Sequence, residues 1–296
     1  MTQLGEPVAI AVIDESQWEC PFAHDKPGKV KNQLENDAGK LERRVRRGVS
    51  TQLWAEEGGK IVAKARQKLA PPVDETVDCP EGSVDVDGGS YPYSISAHHL
   101  IPGNEALPNS DILKYLESGA EVWGDVGYDI NGAENGIWLP THSSLSTEMK
   151  QGRLLPGETA PLGYADLTAA VEKANEENAV IGTFQQRYTY QVMERTGRQF
   201  HDRHLDYSNE VIGELNKIAA KMTVVAGMHC DKCKNAKKVN GKLPPPHPIV
   251  GRLNALSRRL AGHLWGNPLR WKSPYFTSRF AREMAADALI WKQMGR

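Results

Sequence analysis

Long apolar runs are missing from this 296-residue chain. No stretch approaches the roughly 18 uncharged apolar residues that a membrane-spanning helix needs, so membrane insertion is not expected. The first residues, Met1-Thr-Gln-Leu-Gly-Glu-Pro7, lack a basic region followed by an apolar core, and no classical secretion signal is expected. Cysteine is scarce too. Cys20, Cys79, Cys230 and Cys233 are too few for a disulfide scaffold at this length, which makes a reducing cytosol the expected place of folding. Internal repeats and low-complexity tracts are absent.

What is present is an ordinary globular composition, 40% hydrophobic and 25% charged, enough for one large or two modest domains. The net charge of -1 conceals a division. From Lys217 to Arg296 there are 16 Lys and Arg against 3 Asp and Glu, whereas the first 216 residues carry 20 against 34. A basic end of this kind points to a polyanion, because each Lys or Arg that meets a phosphate releases condensed counterions. Docking of the tail on the acidic front half, or on an acidic partner, is the alternative.

Lys29 to Leu69 reads as helical, with breaks near Gly48 and Gly58-Gly59. Arg43, Arg44, Arg46 and Arg47 read there as a solvated charge run. Pro71-Pro72 stops the pattern, and the acidic, glycine-containing stretch from Asp74 to Gly89 is expected to be a loop. A strand is predicted over Tyr91–Ala97 and a short capped helix up to Leu116, ended by Gly119. Gly124 to Asn135 is turn-rich. Helices are predicted over Leu167–Ala179, Thr183–Thr196, Tyr207–Met222, Ile249–His263 and Thr277–Gln293. The division follows: an N-terminal helical region (1–72), a core (90–222) and a basic C-terminal extension (223–296).

The chemistry concentrates in Ala97-His98-His99, at the end of the first predicted strand. Adjacent side chains on a strand point to opposite faces, so one imidazole can bind a metal while its neighbour abstracts a proton. Downstream stand Asn131-Gly-Ala-Glu-Asn135-Gly-Ile-Trp-Leu-Pro140, then His201 and His204 ahead of Tyr207-Ser208. Together these residues resemble the AHH branch of the HNH (ββα-metal) nucleases, over roughly Ser90 to Met222. The resemblance implies a small ββα-metal core embedded among helices in a mainly helical α+β protein. It implies that His98 is a metal ligand and His99 the general base. Asn135 would fix the His99 tautomer or lie beside the metal. His201 and His204, three apart and expected on one helical face, are preferred over His142 as the remaining ligands. Asp129, Asn131 and Glu134 read as turn formers.

His229-Cys230-Asp-Lys-Cys233 has the spacing of a structural zinc site, of a redox dithiol, or of two reduced thiols. Cys20 or Cys79 can complete a tetrahedral set across the fold. Lys237, Lys238, Arg258 and Arg259 are expected to grip a phosphate backbone without reading bases. Most of Trp265, Trp271, Tyr275 and Phe276 are expected to pack in the core rather than stack on bases.

The expectation is therefore a nuclease using one divalent ion, Mg²⁺ before Zn²⁺, on DNA or, as the nearest rival, RNA. The resemblance further implies a bacterial toxin with a cognate immunity protein and a secretion-system delivery component. It would be made in the bacterial cytoplasm, exported without a classical signal, and active in the target-cell cytoplasm. The competing class is a non-catalytic, zinc-stabilised nucleic-acid-binding protein.

Overall fold

A computed structural model describes residues 20, 22, 29–47, 54–57, 60–63, 82–86, 89–141, 180–201, 207–228 and 231–293. The chain is α+β. In order, the elements are β1 (Lys29–Val30), α1 (Ala38–Arg47), β2 (Trp54–Glu57), β3 (Lys60–Ala63), β4 (Gly82–Val86), β5 (Gly89–His99), α2 (Leu113–Leu116) and β6 (Gly136–Thr141). They are followed by α3 (Val180–Thr196), α4 (Tyr207–Met228), α5 (Asp231–Asn240), α6 (Ile249–Leu264) and α7 (Arg279–Gln293). The strands form two antiparallel three-stranded sheets, β1-β2-β3 and β4-β5-β6.

The second sheet organises the site because it separates two apolar clusters. Along β6, Ile137 and Leu139 belong to one cluster and Trp138 to the other, as the period-two alternation of a strand requires. All six residues of β6 are buried. On the first side lie Val211, Leu215, Ala219 and Met222 of α4, spaced for one helix face, with Leu253, Leu256, Leu260 and Leu264 of α6. On the second lie Tyr188 and Val192 of α3, Trp271, Phe276, and Phe280 and Met284 of α7. Basic residues of the C-terminal helices thus ride on elements whose apolar faces complete the core around the sheet.

The structure departs from the sequence reading in several places. Residues 54–57 and 60–63, read as helix, form the β2–β3 pair, with Glu57 opposite Lys60. Gly58-Gly59 falls between those partners, and two glycines between paired residues are a hairpin signal rather than a helix break. Gly82 to Val86, read as loop, is a strand in which Val84 and Val86 are buried while Ser83 and Asp85 are exposed. Its acidic content hid a period-two pattern. Helix α5 lacks a long apolar stripe and was not foreseen. The predicted helix over Leu167–Ala179 lies outside the described residues, as do His142, His204, Cys79 and Cys230. Among the described residues no helix is long and apolar enough to cross a membrane.

Candidate active site

Strand β5 ends on His98 and His99, which pair across β6 with Ile137 and Gly136. The two imidazoles diverge to opposite faces, both buried, at 3% and 9% exposure. His98 turns toward the α4 side, where its ring centroid stands 4.6 Å from that of His201 and 5.7 Å from that of Tyr207. Tyr207 is fully buried and donates its hydroxyl to the Leu100 carbonyl at 2.7 Å, which fixes the wall beside His98. His201 donates its backbone N–H to the Pro140 carbonyl of β6 at 2.9 Å. That bond brings a residue 103 positions away onto the His98 face.

His201 does not lie on a helix, contrary to the spacing argument. It stands in irregular chain, and α4 begins only at Tyr207. Two imidazoles therefore converge, and His204 follows three positions later in the sequence. Among the described residues no group of three or more His, Cys, Asp or Glu side chains has metal-holding geometry. The His98 and His201 pair would supply a divalent ion with two imidazole donors, a donor type that suits such ions.

On the other face, His99 Nε2 lies 3.0 Å from Asn131 Oδ1. The partner expected there was Asn135; the structure assigns the contact to Asn131. The Asn131 amide cannot flip, because its Nδ2 donates to the Glu35 carbonyl at 2.8 Å and its Oδ1 accepts the Asp37 N–H at 2.9 Å. An oxygen so fixed can only accept, so His99 Nε2 carries the proton and Nδ1 is the basic nitrogen. Burial holds the imidazole below its ordinary value of 6.5, while the Asn131 bond and the charges of Asp37 and Asp129 pull it back up.

Asp129 is 4% exposed and caps this turn, its Oδ1 accepting the Asn131 N–H at 3.0 Å. Arg44 of α1 pairs with Asp129 Oδ2. Arg44 is thus an ion-pair partner rather than part of a solvated run, and Asp129 and Asn131 do more than form a turn. Asn32, Gln33, Glu35 and Asp37 all bond to this loop. Gln33 exchanges backbone bonds with Tyr128 and Ile130, and Asn32 Oδ1 accepts the N–H groups of Gly127 and Tyr128 at 2.8 and 3.0 Å. A polar cleft lined by Asn32, Gln33, Glu35, Asp37, Lys40 and Asn131 opens beside it.

Asn135 has a different duty. It is 1% exposed; its Oδ1 accepts the Ile101 N–H at 2.8 Å and the Ser257 hydroxyl at 2.9 Å, and its Nδ2 donates to the carbonyls of Ile101 and Ile130. With its bonding capacity used in this way, it joins the end of β5, the start of β6 and α6. It makes no bond to His99.

Of the expected phosphate-gripping residues, Arg258 is exposed on α6, whereas Arg259 pairs with Glu214, which also accepts from Lys217 at 2.7 Å. Lys237 and Lys238 lie on α5. Trp271 and Phe276 are buried, Tyr275 is half-buried and Trp265 is 42% exposed.

Sequence reasoning missed Asn131, Arg44 and the backbone groups of Glu35 and Asp37. The only local signal was Asp-x-Asn-Gly, which every tight turn shares.

Residues 81–153 match the family described as AHH, a nuclease family of the HNH/ENDO VII superfamily with conserved AHH. The match covers about a quarter of the chain and makes that stretch similar to a nuclease family, whose members act on nucleic acid. The matched stretch holds His98, His99, Asn131 and Asn135, while His201 and the 31–44 segment that braces Asn131 lie outside it. No curated protein and no solved structure matches the chain.

Proposed function

We propose that the protein is a metal-dependent endonuclease of the ββα-metal type, acting on DNA as an antibacterial effector. One observation carries the catalytic reading. At the end of a single strand, His98 meets His201 on one face while His99 is held on the other by an amide of fixed orientation. This is the division of labour that one-metal phosphodiester hydrolysis requires. His98 and His201, with His204 by sequence order, are the residues that would hold a divalent ion, Mg²⁺ or Zn²⁺. When bound, such an ion supplies positive charge for the scissile phosphate and the departing oxygen.

The chain's own groups do the rest. Held below 6.5, His99 is neutral at pH 7 and its Nδ1 can take a proton from water. Asn131 keeps the other nitrogen protonated and stops the ring from turning. Tyr207 and Leu100 close the space behind His98. The exposed Arg258 and the lysines of α5 favour a polyanion without providing a base-reading element.

The effector role, the cognate immunity protein, the delivery component and action inside a target cell rest on the resemblance of the Ala97-His-His segment and its downstream Asn-Gly-Ile-Trp-Leu-Pro. RNA is the rival substrate for the same site.

The deciding experiment incubates the purified chain and a His99→Ala variant with plasmid DNA and with RNA, adding Mg²⁺, Zn²⁺ or EDTA. The expected result is metal-dependent loss of DNA by the wild type, reduced about 10²- to 10⁴-fold in the variant. Loss of RNA alone changes the substrate and keeps the site. Equal cleavage by wild type and variant overturns the role of His99, and failure of a folded, metal-loaded protein to cleave either favours a zinc-stabilised binding protein.

A further inference from the structure

Cys20 and Cys233 are 213 positions apart, yet their sulfurs stand 3.5 Å from each other. Cys233, at the third position of α5, is fully buried in the cluster that holds Leu243 and Met222, and Cys20 packs against that cluster from the N-terminal side. We propose that Cys20 and Cys233 are two ligands of a second metal site, a thiolate-rich structural site for a soft divalent cation of the Zn²⁺ type. The site is independent of the histidine pair and ties the N-terminal segment to the basic helix α5.

Two features argue for a cation rather than a covalent bond or a fortuitous contact. Two sulfurs bound to one tetrahedral ion at ~2.3 Å each stand about 3.8 Å apart, close to the separation seen, whereas a disulfide needs ~2.05 Å. The sequence places Cys230 three positions before Cys233 and His229 beside it, the ligand spacing of a zinc knuckle.

The consequence is mechanical. Helix α5 packs against α4, and a bound cation would convert Cys20 into a further anchor for it. Chelation would then loosen both the basic helix and the segment leading into residues 29–47.

The test uses the full chain, loaded with Co²⁺ in place of the native ion and followed by absorption. Cobalt held by thiolates gives near-ultraviolet sulfur-to-metal charge-transfer bands that histidine ligands do not produce. The wild type is expected to show these bands, to lose them on addition of Zn²⁺, and to retain about one zinc per chain through gel filtration. Cys20→Ser and Cys233→Ser should each weaken the bands and lower zinc affinity at least about tenfold. His98→Ala should keep the bands, which separates this site from the nuclease site whatever the cleavage assay shows. A wild-type chain without charge-transfer bands overturns the proposal even if the cysteine variants fail to fold. So does a mass two hydrogens lower under non-reducing conditions, the signature of a disulfide, or a Cys20→Ser variant whose spectrum and zinc content match the wild type.

Discussion

At the scale of residues, His98 and His99 share a strand end and differ in what surrounds them. His98 looks onto imidazole and phenol rings, and His99 onto an amide braced by two backbone groups and a buried carboxylate. Asn131→Ala removes the acceptor that keeps His99 Nε2 protonated, so the ring can turn or change tautomer. Cleavage should fall roughly 10- to 100-fold with little loss of nucleic-acid affinity, a split that kcat and KM measured on plasmid substrate will reveal. The pH profile gives an independent check. Because burial holds His99 below 6.5, the acid limb of kcat/KM should lie below that value. Arg44→Ala leaves the Asp129 charge unopposed; that favours the imidazolium and should move the limb upward. An unchanged or lowered limb in Arg44→Ala would show that Asp129 does not act on His99.

At the scale of elements, the site depends on junctions between strand ends and helices. Asn135 joins β5, β6 and α6 through four hydrogen bonds, and Asn135→Ala strands several buried groups at once. A destabilisation of at least about 3 kcal/mol is expected, read by urea unfolding, and this cost should exceed that of His99→Ala. A loss of cleavage without loss of stability would instead return Asn135 to a direct catalytic role. Gly136 faces α1 so closely that an added methyl would run into the side chains of Val45 and Leu41. Gly136→Ala should cost about 1–3 kcal/mol and, by displacing α1 and its Arg44, should weaken cleavage more than stability alone explains. Comparing activity at full occupancy of the folded state will separate the two effects. These junctions were hard to read from sequence because each pairs residues tens of positions apart.

At the scale of the whole molecule, the charge division of the chain is expressed on elements that are also part of the core. Helix α6 buries Leu253, Leu256 and Leu260 while presenting Arg258 to solvent. Nucleic-acid affinity should therefore fall steeply with salt, and Arg258→Gln should reduce the slope of log K against log salt by about 1. Arg259→Gln should change it less, because Arg259 is already engaged by Glu214. Equal slopes for wild type and Arg258→Gln would remove α6 from the binding face.

Some of this was legible before any coordinates. The His-His pair at a strand end, the Asn-Gly-Ile-Trp-Leu-Pro motif, the helices over 207–222 and 249–263 and the basic end follow from local pattern, since residue type and period act within a few positions of the chain. The alternation of faces along a strand was enough to give the two histidines different surroundings. Tertiary structure alone decided which surroundings those are. It chose Asn131 over Asn135 as the partner of His99, brought His201 to His98 without a helix, turned Arg44 from solvent to Asp129 and set Cys20 beside Cys233. The physical reason is the same in each case: a hydrogen bond, ion pair or sulfur contact depends on where the fold closes its long loops, and closure over 32 to 213 positions leaves no local trace in the residues it joins.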